Sequence, residues 1–161
     1  MAELTASGVA CWVLKANPNT YDLRAALDDK QEIEGWTLHK TYRVDLMAPE
    51  QRCLLWLSGP RSSGVHAIGK IRRSAEDDGQ GGGDYWRDVA KQNRSSPVIA
   101  ISVVAIVSPI LRSELLKDPR FSKAEVIKMA AGSNPSYLTD GQLAAVLERL
   151  SAADLERAGW S

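Results

Sequence analysis

The sequence holds few of the residues from which catalytic and metal sites are built. It contains two histidines and two cysteines among its 161 residues. Neither His39 nor His66 has a second His or Cys at the spacing of a zinc site, which takes three or four ligands. The chain also lacks the Gly-x-Ser-x-Gly turn of a hydrolase nucleophile and a Cys–His pairing with a third group. We therefore predict no metal, no cofactor and no enzymatic activity.

The chain also lacks net charge and a long apolar run. Twenty Lys and Arg residues balance twenty Asp and Glu residues, which argues against a protein that grips long nucleic acids by charge alone. The longest apolar run, residues 97–111, is shorter than the roughly 20 residues of a membrane span. The segment MAELTASGV does not resemble a signal peptide. We expect a cytoplasmic protein without a membrane partner.

Both cysteines lie inside apolar segments, Cys11 in VACWVL and Cys53 in RCLLWL. This setting favours buried free thiols in a reducing compartment, and a disulfide between neighbouring strands is the alternative. The chain length suits one domain, residues 1–161, with a core over about residues 9–150.

Apolar segments bounded by turn residues predict the secondary structure. Thr139 is the expected N-cap of a late helix, and the sequence SAEDDGQGGG at residues 74–83 is expected to form a loop. Strands interleaved with short helices favour an α+β fold on a curled, mostly antiparallel sheet or small barrel. The expected strands are 9–15, 36–39, 52–58, 65–71 and 98–107, with 125–129 as a further strand candidate; the expected helices are 20–27, 109–118 and 139–150.

The glycine-rich segment GQGGGD, residues 79–84, superficially resembles a phosphate-binding loop. It lacks the Lys-Ser/Thr pair of that loop, and no dinucleotide fingerprint joins a strand to a helix there. The simpler interpretation is a linker. The aromatic pair Tyr85-Trp86, which follows it, then needs an explanation of its own.

Five tryptophans against one phenylalanine is an unusual ratio, because a buried indole N–H needs a hydrogen-bond partner. Trp12 and Trp56 lie in apolar strands and are expected in the core, and Trp160 is expected to cap a helix or to be mobile. Trp36 begins a strand and Trp86 lies in the glycine loop, where binding sites are commonly built. Two such rings can hold an unstacked base between them; the alternative is that Trp86 folds back as a hydrophobic plug.

An ordered set of motifs covers nearly the whole chain, from about residue 12 to residue 150, and resembles the EVE domain. That domain belongs to the PUA-like superfamily and is related to the YTH and ASCH domains. Two positions depart from the family pattern: Ala16 replaces a serine, and Glu50-Gln51 replaces Gly-Asp. The motifs are WVLKANPNTYDL (12–23), GWTLHKTYR (35–43), APEQRCLLWLSG (48–59), GVHAIGKI (64–71), DYWRD (84–88), VSPILRSELL (107–116) and GSNPSYLTDGQLAAVL (132–147).

The resemblance implies an α+β fold, a PUA-like pseudo-barrel of mostly antiparallel strands with short helices packed around it. It also implies a non-enzymatic pocket for a modified base, cytosine or adenine in DNA or a base in RNA, with restriction or modification proteins as partners. Trp36 and Trp86 match the two cage tryptophans. The other implied base-binding residues are Asn17, Ser58, Tyr85, Ser133 and Asn134, and the phosphate-contacting residues are Lys15, Lys70, Arg72 and Arg73.

Two alternatives from other functional classes stay open. One is a small RNA hydrolase or nucleic-acid processing enzyme of the ASCH type, with Lys15, Tyr42 or Arg43 at its site. The other is a protein-interaction adaptor in a restriction or RNA-processing complex.

Overall fold

The structure is a computed structural model that describes residues 4–19, 21–30, 32–79, 96–129 and 134–161. Six strands of these residues form one sheet in the order β2-β5-β4-β3-β1-β6, in which β1 and β3 are parallel and the other neighbours antiparallel. This arrangement confirms the predicted mostly antiparallel α+β fold. The strands are β1 Cys11–Ala16, β2 Glu32–Thr37, β3 Arg52–Leu57, β4 Gly64–Gly79, β5 Ser96–Leu111 and β6 Ser136–Leu138.

The described helices are short: one follows β1, and the others follow β5 and β6. Thr139 caps α4 as predicted: its hydroxyl accepts a hydrogen bond from the Gln142 amide, and the Thr139 amide donates to the Gln142 side-chain oxygen. This reciprocal pair satisfies two amide groups that a helix N-terminus leaves open. The helices are α1 Leu23–Lys30, α2 Arg112–Leu115, α3 Glu125–Lys128, α4 Asp140–Leu147 and α5 Ala152–Ala158.

The long strands β4 and β5 overturn two predictions. The expected loop at residues 74–83 is wrong over 74–79, which continue β4 through the pairs Glu76↔Val98 and Gly79↔Ser96. The expected helix at 109–118 begins late, because β5 continues to Leu111. In both places a partner strand supplies the backbone hydrogen bonds, and this outweighs the local propensity of the sequence.

The strand candidate at residues 125–129 is also wrong, because Glu125–Lys128 form α3. The amides of Lys128 and Met129 donate to the carbonyl oxygens of Ala124 and Glu125. These local bonds satisfy the backbone without a neighbouring strand.

Two apolar clusters pack on opposite faces of the sheet. Side chains alternate between faces along a strand, so Trp12 joins the cluster that includes α1, whereas Trp56 joins the cluster covered by the later helices. Both tryptophans are buried, as predicted. Cys11 and Cys53 are buried free thiols in different clusters, which confirms the prediction of free thiols. Among the described helices, none has the length and apolarity to cross a bilayer.

Of the two expectations for Trp160, the helix cap is confirmed and mobility is wrong, since its amide donates to the Leu155 carbonyl oxygen at the end of α5, at 2.8 Å. Its side chain is 5% exposed, and its indole N–H donates to the Gly69 carbonyl oxygen at 2.7 Å. The Arg52 guanidinium lies 5.6 Å from the ring centroid. The end of the described chain is therefore fixed to the sheet.

Candidate functional site

The site is built around the C-terminal end of β1, where Asn134 pairs with the backbone of Lys15. The Lys15 amide donates to Asn134 Oδ1 at 2.6 Å, and Asn134 Nδ2 donates to the Lys15 carbonyl oxygen at 2.9 Å. A carboxamide can accept and donate at once. One side chain thus satisfies both backbone groups of Lys15, as a neighbouring strand would.

The backbone of Asn134 pairs in turn with His39, which follows β2. The His39 amide donates to the Asn134 carbonyl oxygen at 3.2 Å, and the Asn134 amide donates to His39 Nδ1 at 3.1 Å. We call the three residues Lys15, His39 and Asn134 the seam, because they join the segments that flank the two edge strands, β2 and β6. The sheet is therefore curled.

The seam brings together parts of the sheet that a flat arrangement would separate. Trp36 on β2 pairs with Ile99 near the start of β5, whereas Ala16, the end of β1, lies level with Leu111 at the end of β5. These two positions on β5 are about 40 Å apart along the strand. Closing the sheet is what brings the end of β2 to the end of β1.

Tyr21 connects the turn after β1 with Trp36. Its amide donates to the Asn17 carbonyl oxygen at 2.9 Å, and its ring meets the Trp36 ring edge-on, with centroids 5.1 Å apart and an interplanar angle of 79°. Asn17 is exposed, and its Oδ1 accepts from the Asn19 amide at 2.9 Å. An aromatic ring and an exposed amide side chain thus lie at the same end of the sheet.

Ser58 lies beside the same turn, because β1 and β3 are parallel and end at the same edge. Its amide donates to the Ala16 carbonyl oxygen at 2.9 Å. Of the predicted base-binding residues, the structure therefore gathers Asn17, Ser58 and Asn134 around the end of β1, with Trp36 joined to them through Tyr21.

The Lys15 side chain lies among polar groups near α3. It is 9% exposed, and Nζ donates to the Met129 carbonyl oxygen at 3.4 Å. Burial lowers the pKa of Lys15, and Arg43 lowers it further, while Glu125 opposes the shift. The ammonium group is thus turned towards the protein.

Arg43 and Glu125 form an ion pair with two hydrogen bonds, which we call the brace. Arg43 Nη2 donates to Glu125 Oε2 at 2.8 Å, and Nη1 donates both to Oε1 and to the Pro135 carbonyl oxygen. The Ser136 hydroxyl donates to the same Oε1 at 2.8 Å. The bond from Arg43 lowers the pKa of Glu125, and burial opposes this shift. The brace fixes the segment that follows Asn134.

The basic residues of β4 lie apart from the end of β1. Lys70 pairs with Arg52, the first residue of β3, and its Nζ lies 3.5 Å from the Glu50 carboxylate. Arg72 and Arg73 are exposed. Arg73 borders a shallow outer pocket of about 180 Å³, which Glu34, Gly35, Ser74, Glu76, Val98 and Ala100 also line.

Tyr85, Trp86 and Ser133 lie outside the described residues. Tyr42 is exposed, and its hydroxyl accepts from the Leu4 amide at 2.9 Å. Within the described ranges, no three His, Cys, Asp or Glu side chains lie close enough to hold a metal ion together.

Sequence reasoning missed two members of the site. It placed Tyr21 only within the expected helix 20–27, and it gave His39 no role once a zinc site was excluded. The signal available for Tyr21 was its place in the motif WVLKANPNTYDL, directly after the Asn17 turn. For His39 the signal was its place in the motif GWTLHKTYR, although nothing in that motif indicates its partner Asn134, which lies 95 residues away.

Comparisons with known proteins bear on the fold and the family. A hypothetical protein from Leishmania major has a similar structure, with 17% identity, a TM-score of 0.64 and coverage of 89% of this chain and 96% of that one. Protein PSPTO5229 from Pseudomonas syringae gives 18% identity, a TM-score of 0.61 and coverage of 87% and 99%. Human THYN1, solved in complex with DNA that contains 5-methylcytosine, gives 13% identity, a TM-score of 0.57 and coverage of 86% and 96%.

At these identities the structural neighbours establish the fold alone, which is the predicted PUA-like arrangement of a mostly antiparallel sheet with short helices. Comparison with curated proteins gives no match. The family model described as the EVE domain matches residues 10–148, which is most of the chain. This match confirms the resemblance drawn from the sequence motifs, and the chain belongs to the EVE domain family.

Proposed function

We propose that this protein is a non-enzymatic reader that binds a modified nucleobase, flipped out of DNA, at the end of β1. The observation that carries the proposal is the closure of the sheet through the seam, which sets Trp36 and Tyr21 beside the exposed amide of Asn17. The similar fold of human THYN1, solved with 5-methylcytosine DNA, supports the choice of ligand.

In this proposal the base stacks on Trp36, and Trp86, which lies outside the described residues, forms the second wall. Stacking on an aromatic side chain is worth about 1–3 kcal/mol per base. Trp36 is 5% exposed, so a base reaches its face only when the atoms that cover the ring move. The edge contact with Tyr21 holds the ring in one orientation for stacking.

The polar rim recognises the edge of the base. Asn17 offers a carboxamide that can donate to and accept from a Watson–Crick edge, and Ser58 lies beside it. Tyr85, Ser133 and Asn134 complete the proposed rim. A methyl substituent is distinguished by apolar contact and shape, which supplies about 1–3 kcal/mol.

Flanking phosphates are assigned to Lys70, Arg72 and Arg73 on β4 and to Lys15. Arg72 and Arg73 are exposed and can meet a phosphate directly. Lys15 would first have to leave the Met129 carbonyl oxygen. With no net charge on the chain, we expect weak binding that falls as salt rises.

The setting we propose is the cytoplasm, together with proteins of a restriction or modification system. Free thiols at Cys11 and Cys53 suit a reducing compartment.

The test is a panel of duplex oligonucleotides that carry modified or plain cytosine and adenine, titrated into the wild type, Trp36→Ala, Trp86→Ala and Asn17→Ala. We expect the wild type to prefer one modified duplex and each variant to lose that preference, with about a tenfold loss or more for the tryptophan variants. Equal affinity of all four proteins for every duplex would contradict the proposal. A specific protein partner without any base affinity would favour the adaptor.

A second candidate function rests on Lys15. A buried lysine with a lowered pKa beside Arg43 and Glu125 is the environment in which lysines serve as catalytic groups. RNA or nucleoside turnover by the purified protein that disappears in Lys15→Ala would favour an enzyme of the ASCH type. Turnover that persists in that variant would exclude Lys15 as the catalytic group.

A further inference from the structure

We propose that Asn134 is a positioning residue of the base site, which acts on the base through Asn17 and Trp36. The inference rests on the proposed function and assigns Asn134 a different role there from direct contact with the base. It follows from the hydrogen bonds that the side chain and the backbone of Asn134 make.

The side chain of Asn134 continues the ladder between β1 and β6. Cys11, Trp12 and Val13 pair with Leu138, Tyr137 and Ser136, and extending this register by two residues places Lys15 opposite Asn134. Pro135, which lies between Asn134 and Ser136, has no amide hydrogen to donate. The carboxamide of Asn134 instead meets the amide and the carbonyl group of Lys15, at 2.6 and 2.9 Å.

These two bonds fix the direction in which the chain leaves β1. Lys15 is two residues before Asn17, and the Ser58 amide holds the carbonyl oxygen of Ala16 between them. Without the carboxamide, the Lys15 end of the strand would lose its partner on the β6 side. The Asn17 side chain would then no longer be held at one place on the rim, and recognition sites lose affinity when their supporting residues are loose.

The backbone of Asn134 also positions the side of the site that holds Trp36. It exchanges two hydrogen bonds with His39, three residues after Trp36. The brace anchors the other side of Asn134, because Arg43 holds the Pro135 carbonyl oxygen and Glu125 accepts from Ser136. His39 and the brace thus fix Asn134 from two sides, and Asn134 connects the Asn17 part of the site to Trp36.

The experiment is a double-mutant cycle on Asn134→Ala and Asn17→Ala. The probe is a fluorescent duplex with one 5-methylcytosine, and its unmodified twin measures non-specific binding. If Asn134 acts in part through Asn17, each single variant binds the modified duplex about tenfold more weakly, and the double variant loses clearly less than the product of the two single losses. Losses that multiply in the double variant would overturn the positioning role.

Two further variants separate positioning from general stability. Asn134→Asp keeps an acceptor for the Lys15 amide but loses the donor to its carbonyl group, so we expect an intermediate affinity. Thr139→Ala removes the hydroxyl that caps α4, a structural hydrogen bond on the same segment but away from the base. We expect it to lower the melting temperature and leave the affinity unchanged; an equal loss of affinity in Thr139→Ala would overturn the proposal.

Hydrogen exchange tests the seam without any ligand. In Asn134→Ala the Lys15 amide should exchange faster than in the wild type, while the amides of Trp12 and Val13 keep their protection. Unchanged exchange at Lys15 would overturn the proposal even if affinity fell. A wild type that prefers no modified duplex of the panel, 5-methylcytosine included, would instead overturn the proposed function, and with it any role of Asn134 towards a base, whatever the exchange result.

Discussion

Trp36 and Trp160 are equally buried, each 5% exposed, yet the two corners of the sheet that hold them differ. The Trp160 indole is tied to the Gly69 carbonyl oxygen and lies against Arg52. Trp36 meets the edge of Tyr21 in a corner that also presents an exposed amide at Asn17. Equal burial therefore does not imply an equal role: the Trp160 corner anchors the end of the described chain, and the Trp36 corner is the one that we propose binds a ligand.

The largest effect should come from Gly69 in the Trp160 corner. A Cβ atom there would lie 1.8 Å from the Ser102 carbonyl oxygen and 2.6 Å from the Val103 Cα, so β4 and β5 could not keep their pairing. We expect Gly69→Ala to lose more than about 4 kcal/mol of unfolding free energy, or to fail to fold. Urea titration monitored by circular dichroism measures this loss.

Gly141 in α4 is the matched control for that substitution. A Cβ atom there would meet nothing within 4 Å, and alanine is a better helix former than glycine. We expect Gly141→Ala to gain up to about 1 kcal/mol. Similar unfolding midpoints for the two alanine variants would contradict the close approach of β4 and β5 at Gly69.

Replacing each tryptophan by alanine compares the two corners directly. Trp160→Ala and Trp36→Ala should each lose about 3–5 kcal/mol of unfolding free energy, the usual cost of removing a buried tryptophan. Only Trp36→Ala should also weaken binding of a modified-base duplex by the folded protein. Denaturant titration and fluorescence anisotropy at low temperature measure the two effects. An equal loss of affinity in Trp160→Ala would mean that binding follows stability and not contact with Trp36.

The sequence predicted what depends on local pattern and missed what depends on distant pairing. Trp12 and Trp56 were assigned to the core because their neighbours are apolar, and Thr139 was assigned as a cap because a helical pattern follows it. The contact of Trp160 with Gly69 spans 91 residues, and that of Asn134 with Lys15 spans 119. No local pattern contains these partners, so the anchored end and the seam became visible only in the fold.

The predicted site residues show the same difference between local pattern and distant pairing. The ordered motifs predicted that Asn17, Ser58 and Asn134 belong to one site, since family resemblance carries long-range information. The motifs did not indicate that the Asn134 carboxamide faces the Lys15 backbone, nor that Lys70 lies level with the opposite end of β3.

The smallest predicted effect concerns charge in the Trp36 corner and depends on pH. The bond from Arg43 lowers the pKa of Glu125 below its ordinary value of about 4.5. A carboxylate whose pKa is lower in the folded protein stabilises it above the unfolded value, and this contribution is lost as pH falls through the folded value. Glu125→Gln removes the charge and leaves Arg43 partly buried and without its partner carboxylate, which should cost about 1–3 kcal/mol at neutral pH.

The measurement is the unfolding free energy of the wild type and of Glu125→Gln from pH 7 to pH 3. We expect their difference to be largest near neutral pH and to shrink below about pH 4.5, because protonation of Glu125 removes the same charge from the wild type. Arg120 and Arg149 also lower the pKa of Asp118, but that group is common to both proteins and cancels in the difference. A difference that stays constant over the whole range would show that the charge of Glu125 does not stabilise the segment after Asn134. The brace would then act through shape alone.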